Sequence, residues 1–472
     1  MHDDMADVVV LVPGFGGSVL EREGTVLWGG GDAGSAASLL ALDADAVEGL
    51  RVEKDDPSRA ELADGVRATG VVHGAHMLPG VWKIDGYAKV PRLLGRLFDM
   101  EPGRNYHEFA YDWRRDLRAA ARALDRSAEG WLAAWREHLG REDVKLVIIG
   151  HSMGAMVARY YLEALDGWKN ARALVTIGAP FRGTPAVLPA LTGQLPEVGP
   201  DRAEITSVVR SFTSLYQMLP VYPAFQRGDE EEMVSISEVE IPGLEPEKVA
   251  LATGFREEID DALRRHDGNP AYREESYRLL PVVGTAQTTP QSVRITDGVV
   301  EVLDTYQNRD LSGDGVVPRL GAQPNATGDA PATLLTAARH AELASDDRAL
   351  SYVLGLFTSL YMGAAQMSPP VRSRAGLDVV VADAVEAGSP IEVSVHPESS
   401  EVGGLTATLE GVSGGDVLER VELPVAGAES ADSRWRRGSF APREPGMYRV
   451  RVAGDEGVQA VSDILEVLPS SD

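Results

Sequence analysis

The chain has no cysteine among its 472 residues. That excludes disulfide staples, thiolate metal ligands and a cysteine nucleophile together. It leaves the compartment open, because cysteine-free proteins occur on both sides of a membrane. Lysine is scarce. It stands only at positions 54, 83, 89, 145, 169 and 248, and arginine supplies the rest of the 45 basic residues. Arginine in place of lysine, with abundant Ala, Gly, Val and Asp, is the compositional bias of a high-GC bacterial genome. Positive charge is short overall. A formal net charge of −27 repels nucleic acid and anionic headgroups at long range, so no nucleic-acid partner is expected. Long apolar runs are missing too. "MHDDMADVVVLVPGFGG" carries acidic residues where a signal peptide carries basic ones, and its apolar run covers only Val8 to Val12. No stretch reaches the roughly 18 to 20 apolar residues of a membrane-crossing helix. The expectation is a cytoplasmic protein without signal peptide or transmembrane segment.

What is present reads as a soluble globular chain too long for one core. "DVVVLV" (7–12) is a buried strand stopped by Pro13-Gly14. Helical spacing follows over 86–98, strand character over 105–114 and a long amphipathic helix over 116–140. "VKLVIIG" (144–150) and "ARALVTIGAPFRGTPA" (171–186) are further apolar strands with a helix between them. Repetition of that unit argues a parallel sheet covered on both faces. Strand character returns over 278–290, and a hairpin with an acidic loop is expected over 297–318. A loop and helix over 336–357 close this part. The first domain is thus expected over 1–367, with insertions at about 20–80 and 187–275 as cap and lid. After "MSPPVRSRAG" the texture changes to short alternating stretches separated by turns. That pattern predicts a β-sandwich of about seven strands over 370–472, immunoglobulin- or fibronectin-like.

The candidate chemistry centres on "VIIGHSMGAMVARYYLEAL" (147–165). Gly-X-Ser-X-Gly between a strand and a helix is a nucleophile elbow. Its glycines let strand and helix pack close, and its serine sits at a helix N-terminus. Ser152 needs a base, and chain order in this architecture runs Ser, then acid, then His. Three histidines follow it: His266 at the polar end of a helix, His396 in an alternating strand and His340 in a loop before a helix. His340 is where a base belongs. For the acid, "DLSGDGVVP" offers Asp310 and Asp314, and Asp314 between two glycines is favoured. Oxyanion donors are expected at the amides of Met153, after the nucleophile, and Phe15 in "VPGFGG". His151, Tyr216, Met218 and Leu219 are candidate pocket residues, the last three in "SFTSLYQMLPVYPAF", whose apolar side chains suit an alkyl chain or, as the alternative, a plain hydrophobic packing strip. No cofactor and no metal is expected, since one Asp-Gly pair without further spaced carboxylates is a poor Ca²⁺ site.

With those parts placed, the sequence resembles the lecithin:cholesterol acyltransferase family, including lysosomal phospholipase A2-type enzymes. The match is an ordered set: "VVLVPGFGGSVLE", Tyr111 to Arg114 (Tyr-Asp-Trp-Arg), "GHSMG", "IGAPFRGTP" (177–185), "MLP" (218–220), "GDGVVP" (313–318) and "RHAEL" (339–343). The resemblance implies an α/β-hydrolase fold, a triad on Ser152, Asp314 and His340, and an acyl-enzyme passing its acyl group to water or a lipid alcohol. The implied partner is a lipid or other acyl ester. A small-ester hydrolase would use the same machinery, and a catalytically silent scaffold is the other class considered. Tyr111 to Arg114 reads first as a brace of the sheet edge, and second as a substrate contact. The resemblance covers roughly residues 7–360. The sandwich lies outside it and is free to dock a partner protein, a polysaccharide or the first domain itself.

Overall fold

The computed structural model describes residues 6–30, 37–38, 47–78, 82–95, 98–195, 202–324, 333–362, 375–412, 415–424, 434–455 and 457–470. Val8–Val12, all apolar and fully buried, pairs in parallel with Tyr106–Glu108 on one side and Leu146–His151 on the other. Ala171–Ile177, Arg278–Gly284 and Leu334–Thr336 extend the sheet in the same sense, giving six parallel strands with Leu334–Thr336 at one edge. Strand alternation divides the core. Val8, Val10 and Val12 pack with helices Leu117–Leu139 and Met153–Ala164 on one face. Val9 and Leu11 pack with helices Lys89–Leu94 and Asp347–Met362 on the other. The sheet is therefore covered twice, as its apolar strands require, and the architecture is that of an α/β hydrolase.

The long helix begins where the Asp116 carboxylate accepts from the Arg118 amide and ends at Gly140, whose φ of 63° suits a glycine stop. The helix expected over 86–98 is shorter, Lys89–Leu94. Gly86 (φ 83°) turns the chain so tightly that a Cβ there would sit 2.4 Å from the His73 carbonyl oxygen. Tyr87 enters the core instead of starting a helix. The hairpin expected from 297 onward lies one strand earlier, Ser292–Thr296 against Val299–Leu303, because Asp297-Gly298 is its turn, with φ of 49° and 79°. Of the expected insertions, 20–30, 37–38 and 47–78 of the first and 187–195 and 202–275 of the second are described. Helix Pro246–Asp267 in the second stacks Phe255 on Tyr160 of the elbow helix, ring centroids 5.2 Å apart. It belongs to the helical layer on the sheet rather than to a detached lid.

The linker expected around 367–370 lies outside the described residues. From Leu377 the chain forms two antiparallel-rich sheets. One joins Leu377–Val381, Ile391–Pro397 and Arg436–Phe440. The other orders Ala384–Glu386, Val461–Leu468, Gly446–Gly454, Leu405–Gly411 and Val417–Leu423. Ile391, Val393 and Val395 of the first sheet and Leu405, Ala407, Val450 and Val452 of the second share one core, which makes a sandwich. "LDVVVADAV", expected as one stretch, is two strands that belong to opposite sheets.

Among the described residues, no helix is long and apolar enough to cross a membrane.

Candidate active site

Strand Leu146–His151 ends at Ser152, whose φ of 51° and ψ of −125° are unusual for a residue with a side chain. Such a conformation costs of order 1–3 kcal/mol and must be held by its surroundings. They hold it closely. A Cβ at Gly150 would meet the Ala155 Cα at 2.6 Å, and one at Gly154 would meet the carbonyl oxygens of Val12 and Pro13 at 2.3 Å. The Ser152 amide donates to the Ile177 carbonyl at 2.8 Å, tying the elbow to the neighbouring strand.

His340 follows the edge strand in a turn before the last helix of the sheet layer. Its Nε2 lies 2.9 Å from Ser152 Oγ and its Nδ1 lies 2.8 Å from Asp314 Oδ2. The other carboxylate oxygen, Asp314 Oδ1, accepts from the amides of Val316 at 3.0 Å and Val317 at 2.6 Å. The His340 amide donates to the Asp314 carbonyl at 2.8 Å. Ser152, Asp314 and His340 are all buried. Two glycines make room: a Cβ at Gly284 would lie 2.2 Å from Asp314 Cβ, and one at Gly178 (φ 59°) would lie 3.1 Å from His340 Nδ1.

The competing residues sit elsewhere. Asp310 staples its own loop, accepting from Gln291 Nε2 at 2.6 Å and from the Ser312 amide at 2.7 Å. His266 lies between Glu163 at 3.0 Å and Asp166 at 3.1 Å on the far side of the elbow helix. His396 is in the sandwich beside Trp435.

Loop 13–18 runs beside the serine, so close that a Cβ at Gly14 would stand 3.0 Å from Ser152 Cβ. Side chains from four places pin it. Tyr111 Oη donates to the Pro13 carbonyl at 2.8 Å, Trp28 Nε1 to Gly16 at 2.6 Å and Trp113 Nε1 to Ser18 at 3.0 Å. The Gly14 amide donates to Tyr87 Oη at 2.7 Å. That loop carries Phe15. Met153, the other expected donor, is the first residue of its helix, where an amide has no carbonyl one turn back to meet. Tyr-Asp-Trp-Arg is a brace throughout. Besides Tyr111 and Trp113, the buried Arg114 binds Asp112, the Leu50 carbonyl and Asp64 at 2.6, 2.9 and 3.0 Å. It thereby ties the segment around 50–64 to the chain that follows the edge strand Tyr106–Glu108.

His151 lies behind the serine, not in front of it. Tyr87 Oη, having accepted from Gly14, donates its proton to His151 Nδ1 at 2.8 Å, and His151 Nε2 meets the His340 carbonyl at 3.3 Å. Burial, with His340 nearby, pushes the His151 pKa down to about 3. The ring is therefore neutral, its proton on Nε2, and it links loop 13–18 to the His340 backbone. Tyr216, Met218 and Leu219 are buried. The carbonyl oxygens of Met218 and Leu219 press on the Gly183 turn, where a Cβ would lie 2.1 Å from the Leu219 oxygen. Lys248 Nζ sits 5.4 Å from the Tyr216 ring centre. None of the three makes a hydrogen bond to Ser152, Asp314 or His340. From the same segment, the Phe212 ring lies 6.3 Å from that of Phe15 on the 13–18 loop and 5.6 Å from Trp113.

Tyr87, Phe212 and Gln287 (below) are the residues that sequence reading misses. Phe212 lies within the quoted apolar segment; the other two carry no local signal. Among the described residues no cluster of three His, Asp or Glu is placed to hold a metal ion.

Residues 80–253 match the family model described as lecithin:cholesterol acyltransferase. No curated protein matches the sequence. Among solved structures, similarity is found to the Bacillus licheniformis lipase BlEst2 in mature form, 13% identical, covering 76% of this chain and 94% of that one, TM-score 0.33. The same lipase in propeptide form is 12% identical, with 99% and 94% covered and a TM-score of 0.36. At those scores the fold rests on the sheet and elbow themselves, not on the likeness. Asp314 and His340 lie beyond the family match. The matched stretch, which holds Tyr-Asp-Trp-Arg, the elbow serine and the Gly-Ala-Pro loop, is similar to the lecithin:cholesterol acyltransferase family over less than half of the chain.

Proposed function

We propose that the chain is a serine ester hydrolase or acyltransferase. It works through an acyl-enzyme on Ser152 and takes a fatty acyl group from a lipid ester. One observation carries the reading: a serine on a strained elbow, 2.9 Å from an imidazole nitrogen whose other nitrogen lies 2.8 Å from a buried carboxylate. Asp314 accepts the Nδ1 proton of His340 and so leaves the Nε2 lone pair facing Ser152 Oγ. As Oγ attacks the ester carbonyl carbon, its proton passes to Nε2. The resulting imidazolium is stabilised by Asp314. The carbonyl oxygen takes the negative charge of the tetrahedral intermediate. The amides of Phe15 and Met153 are the donors assigned to it, worth about 3 to 4 kcal/mol each in a site shielded from water. Collapse breaks the bond to the alkoxide, which leaves with the proton from Nε2. Water or a lipid alcohol then repeats the sequence in reverse on the acyl-enzyme.

Support for a lipid acyl group comes from the family match over residues 80–253 and from the loop beside the buried Ser152, which carries Phe15 packed on Trp113 and Phe212; apolar rings of this kind favour an alkyl chain over a polar one. The test is incubation of wild type and Ser152→Ala with mixed phospholipids, neutral acylglycerols and a long-chain alcohol, with products read by mass spectrometry. Serine-dependent fatty acid means hydrolysis, and serine-dependent alkyl ester means transfer. No product from wild type overturns the lipid reading.

A further inference from the structure

The loop that bears His340 follows Leu334–Thr336, a three-residue strand that among the described residues lies at the sheet edge, paired with Arg278–Gly284. The parallel sheet alone gives it little support. The support comes from the C-terminal sandwich. Gln459 of the sandwich accepts from the Ala337 amide at 3.2 Å and donates to Thr336 Oγ1 at 2.8 Å. Arg339, immediately before His340, pairs through Nε with the buried Asp463 at 2.8 Å and donates through Nη1 to the Val379 carbonyl. Beyond His340, Glu342 accepts from the Ser462 amide at 2.9 Å and from its hydroxyl at 2.7 Å. The histidine is thus held on both sides by the sandwich.

The acid is held by the same contact. Gln287, buried at 1% exposure, donates its amide to the Gly313 carbonyl at 3.1 Å. Its side chain donates to the carbonyls of Ala337 at 3.1 Å and Leu377 at 2.7 Å, and accepts from the Val379 amide at 3.3 Å. One residue therefore joins the Asp314 loop through its backbone amide, and the His340 loop and the first strand of the sandwich through its side chain. Thr288 next to it donates its amide to Asp378 at 3.0 Å. Gln287, Gln459, Asp378 and Asp463 are buried, so separating the two parts removes hydrogen-bond and ion-pair partners from buried polar groups.

We propose that the C-terminal sandwich is a built-in positioning element for the Asp314–His340 pair, with Gln459, Asp463 and Gln287 as positioning residues. This rests on the proposed role of Ser152, His340 and Asp314. The sandwich sets the distance between His340 Nε2 and Ser152 Oγ from outside the sheet. A misplacement of about 1 Å in such a pair costs about 100-fold in rate, so loosening this contact slows chemistry and does more than lower stability.

The test is the rate at which a fluorophosphonate labels Ser152, with loss of fluoride, in the folded full-length chain across pH. This probe needs no knowledge of the natural substrate. Gln459→Ala and Asp463→Asn are compared with Val393→Ala, which loosens the sandwich core away from the contact. The expected result is labelling at least ten-fold slower in the first two, with the acid limb of the pH profile displaced. Val393→Ala melts lower but labels at the wild-type rate. If Gln459→Ala does not fold, the near-isosteric Asp463→Asn decides. Wild-type rates and an unchanged acid limb in Gln459→Ala and Asp463→Asn overturn the proposal, whatever their melting temperatures. A wild type that does not label overturns the reading of Ser152 itself, and this proposal with it.

Discussion

Asp314→Asn changes one atom, and its consequence can be worked from the hydrogen bonds. Asp314 Oδ1 accepts two amides, from Val316 and Val317 at 3.0 and 2.6 Å. An asparagine has one oxygen and one NH₂ group. Turning the NH₂ toward those two amides would set donor against donor twice, in a buried place where each lost bond costs about 1–3 kcal/mol. The oxygen therefore stays with Val316 and Val317, and the NH₂ faces His340. There it donates to Nδ1, which obliges the ring to carry its proton on Nε2. That proton then points at Ser152 Oγ, and the base cannot accept. The expected loss in kcat is about 10⁴-fold, the size found where a triad carboxylate is replaced in this way in other enzymes, or about 5.5 kcal/mol. The fold should persist, because the shape is kept. The assay is turnover of a soluble ester per titrated active site, with the melting temperature measured alongside. A variant within ten-fold of wild type would refute the tautomer argument and the assignment of Asp314.

Three further predictions follow from single contacts. Gly150→Ala drives a Cβ to 2.6 Å from the Ala155 backbone, and urea unfolding should show a loss of about 1–3 kcal/mol or more. Tyr87→Phe removes the hydroxyl that joins the Gly14 amide to His151; about 1–3 kcal/mol of stability and a measurable part of kcat should go with it, and unchanged values of both would show that loop 13–18 does not need that pin. Burial, with Asp346 and Asp85 nearby, pushes the Glu342 pKa from 4.5 up to about 8. The native state then keeps a proton that the unfolded chain releases. This contribution is full below pH 4.5 and is lost as pH rises toward 8, at no more than about 1.4 kcal/mol per pH unit. Glu342→Gln should flatten that limb in thermal melts taken from pH 5 to 8, and an identical slope in both proteins would contradict it.

The elements that could be read from the sequence are those fixed by short spacing. The apolar strands, the elbow between Gly150 and Gly154 and the long helix from Leu117 are local patterns, and they lie where the sequence put them. Chain order narrows the base and acid to a few residues, the loop position of His340 and the glycines around Asp314 select these two, and the fold brings them together across 26 residues. Asp297-Gly298 is a local turn signal as well, and it joins Ser292–Thr296 to Val299–Leu303 rather than opening a hairpin that follows it. What could not be read depends on partners far away in sequence. Tyr87 reaches His151 across 64 residues and Gln287 reaches Leu377 across 90. Nothing in the neighbourhood of either residue encodes the carbonyl or imidazole it meets. The apolar composition over 211–225 suits an acyl track and a packing strip alike. Composition cannot say that the carbonyls of Met218 and Leu219 lie against the Gly183 turn while the Phe212 ring lies beside Phe15.

The central claim is that Ser152 carries the acyl group between donor and acceptor. The most direct measurement mixes the protein with a lipid ester for less than one turnover, quenches in acid and maps the peptides by mass spectrometry. The account predicts one acyl group on the peptide containing Ser152, absent in Ser152→Ala and lost again when water or alcohol is given time to react. Turnover that persists in Ser152→Ala, or an acyl group on another residue, would contradict it.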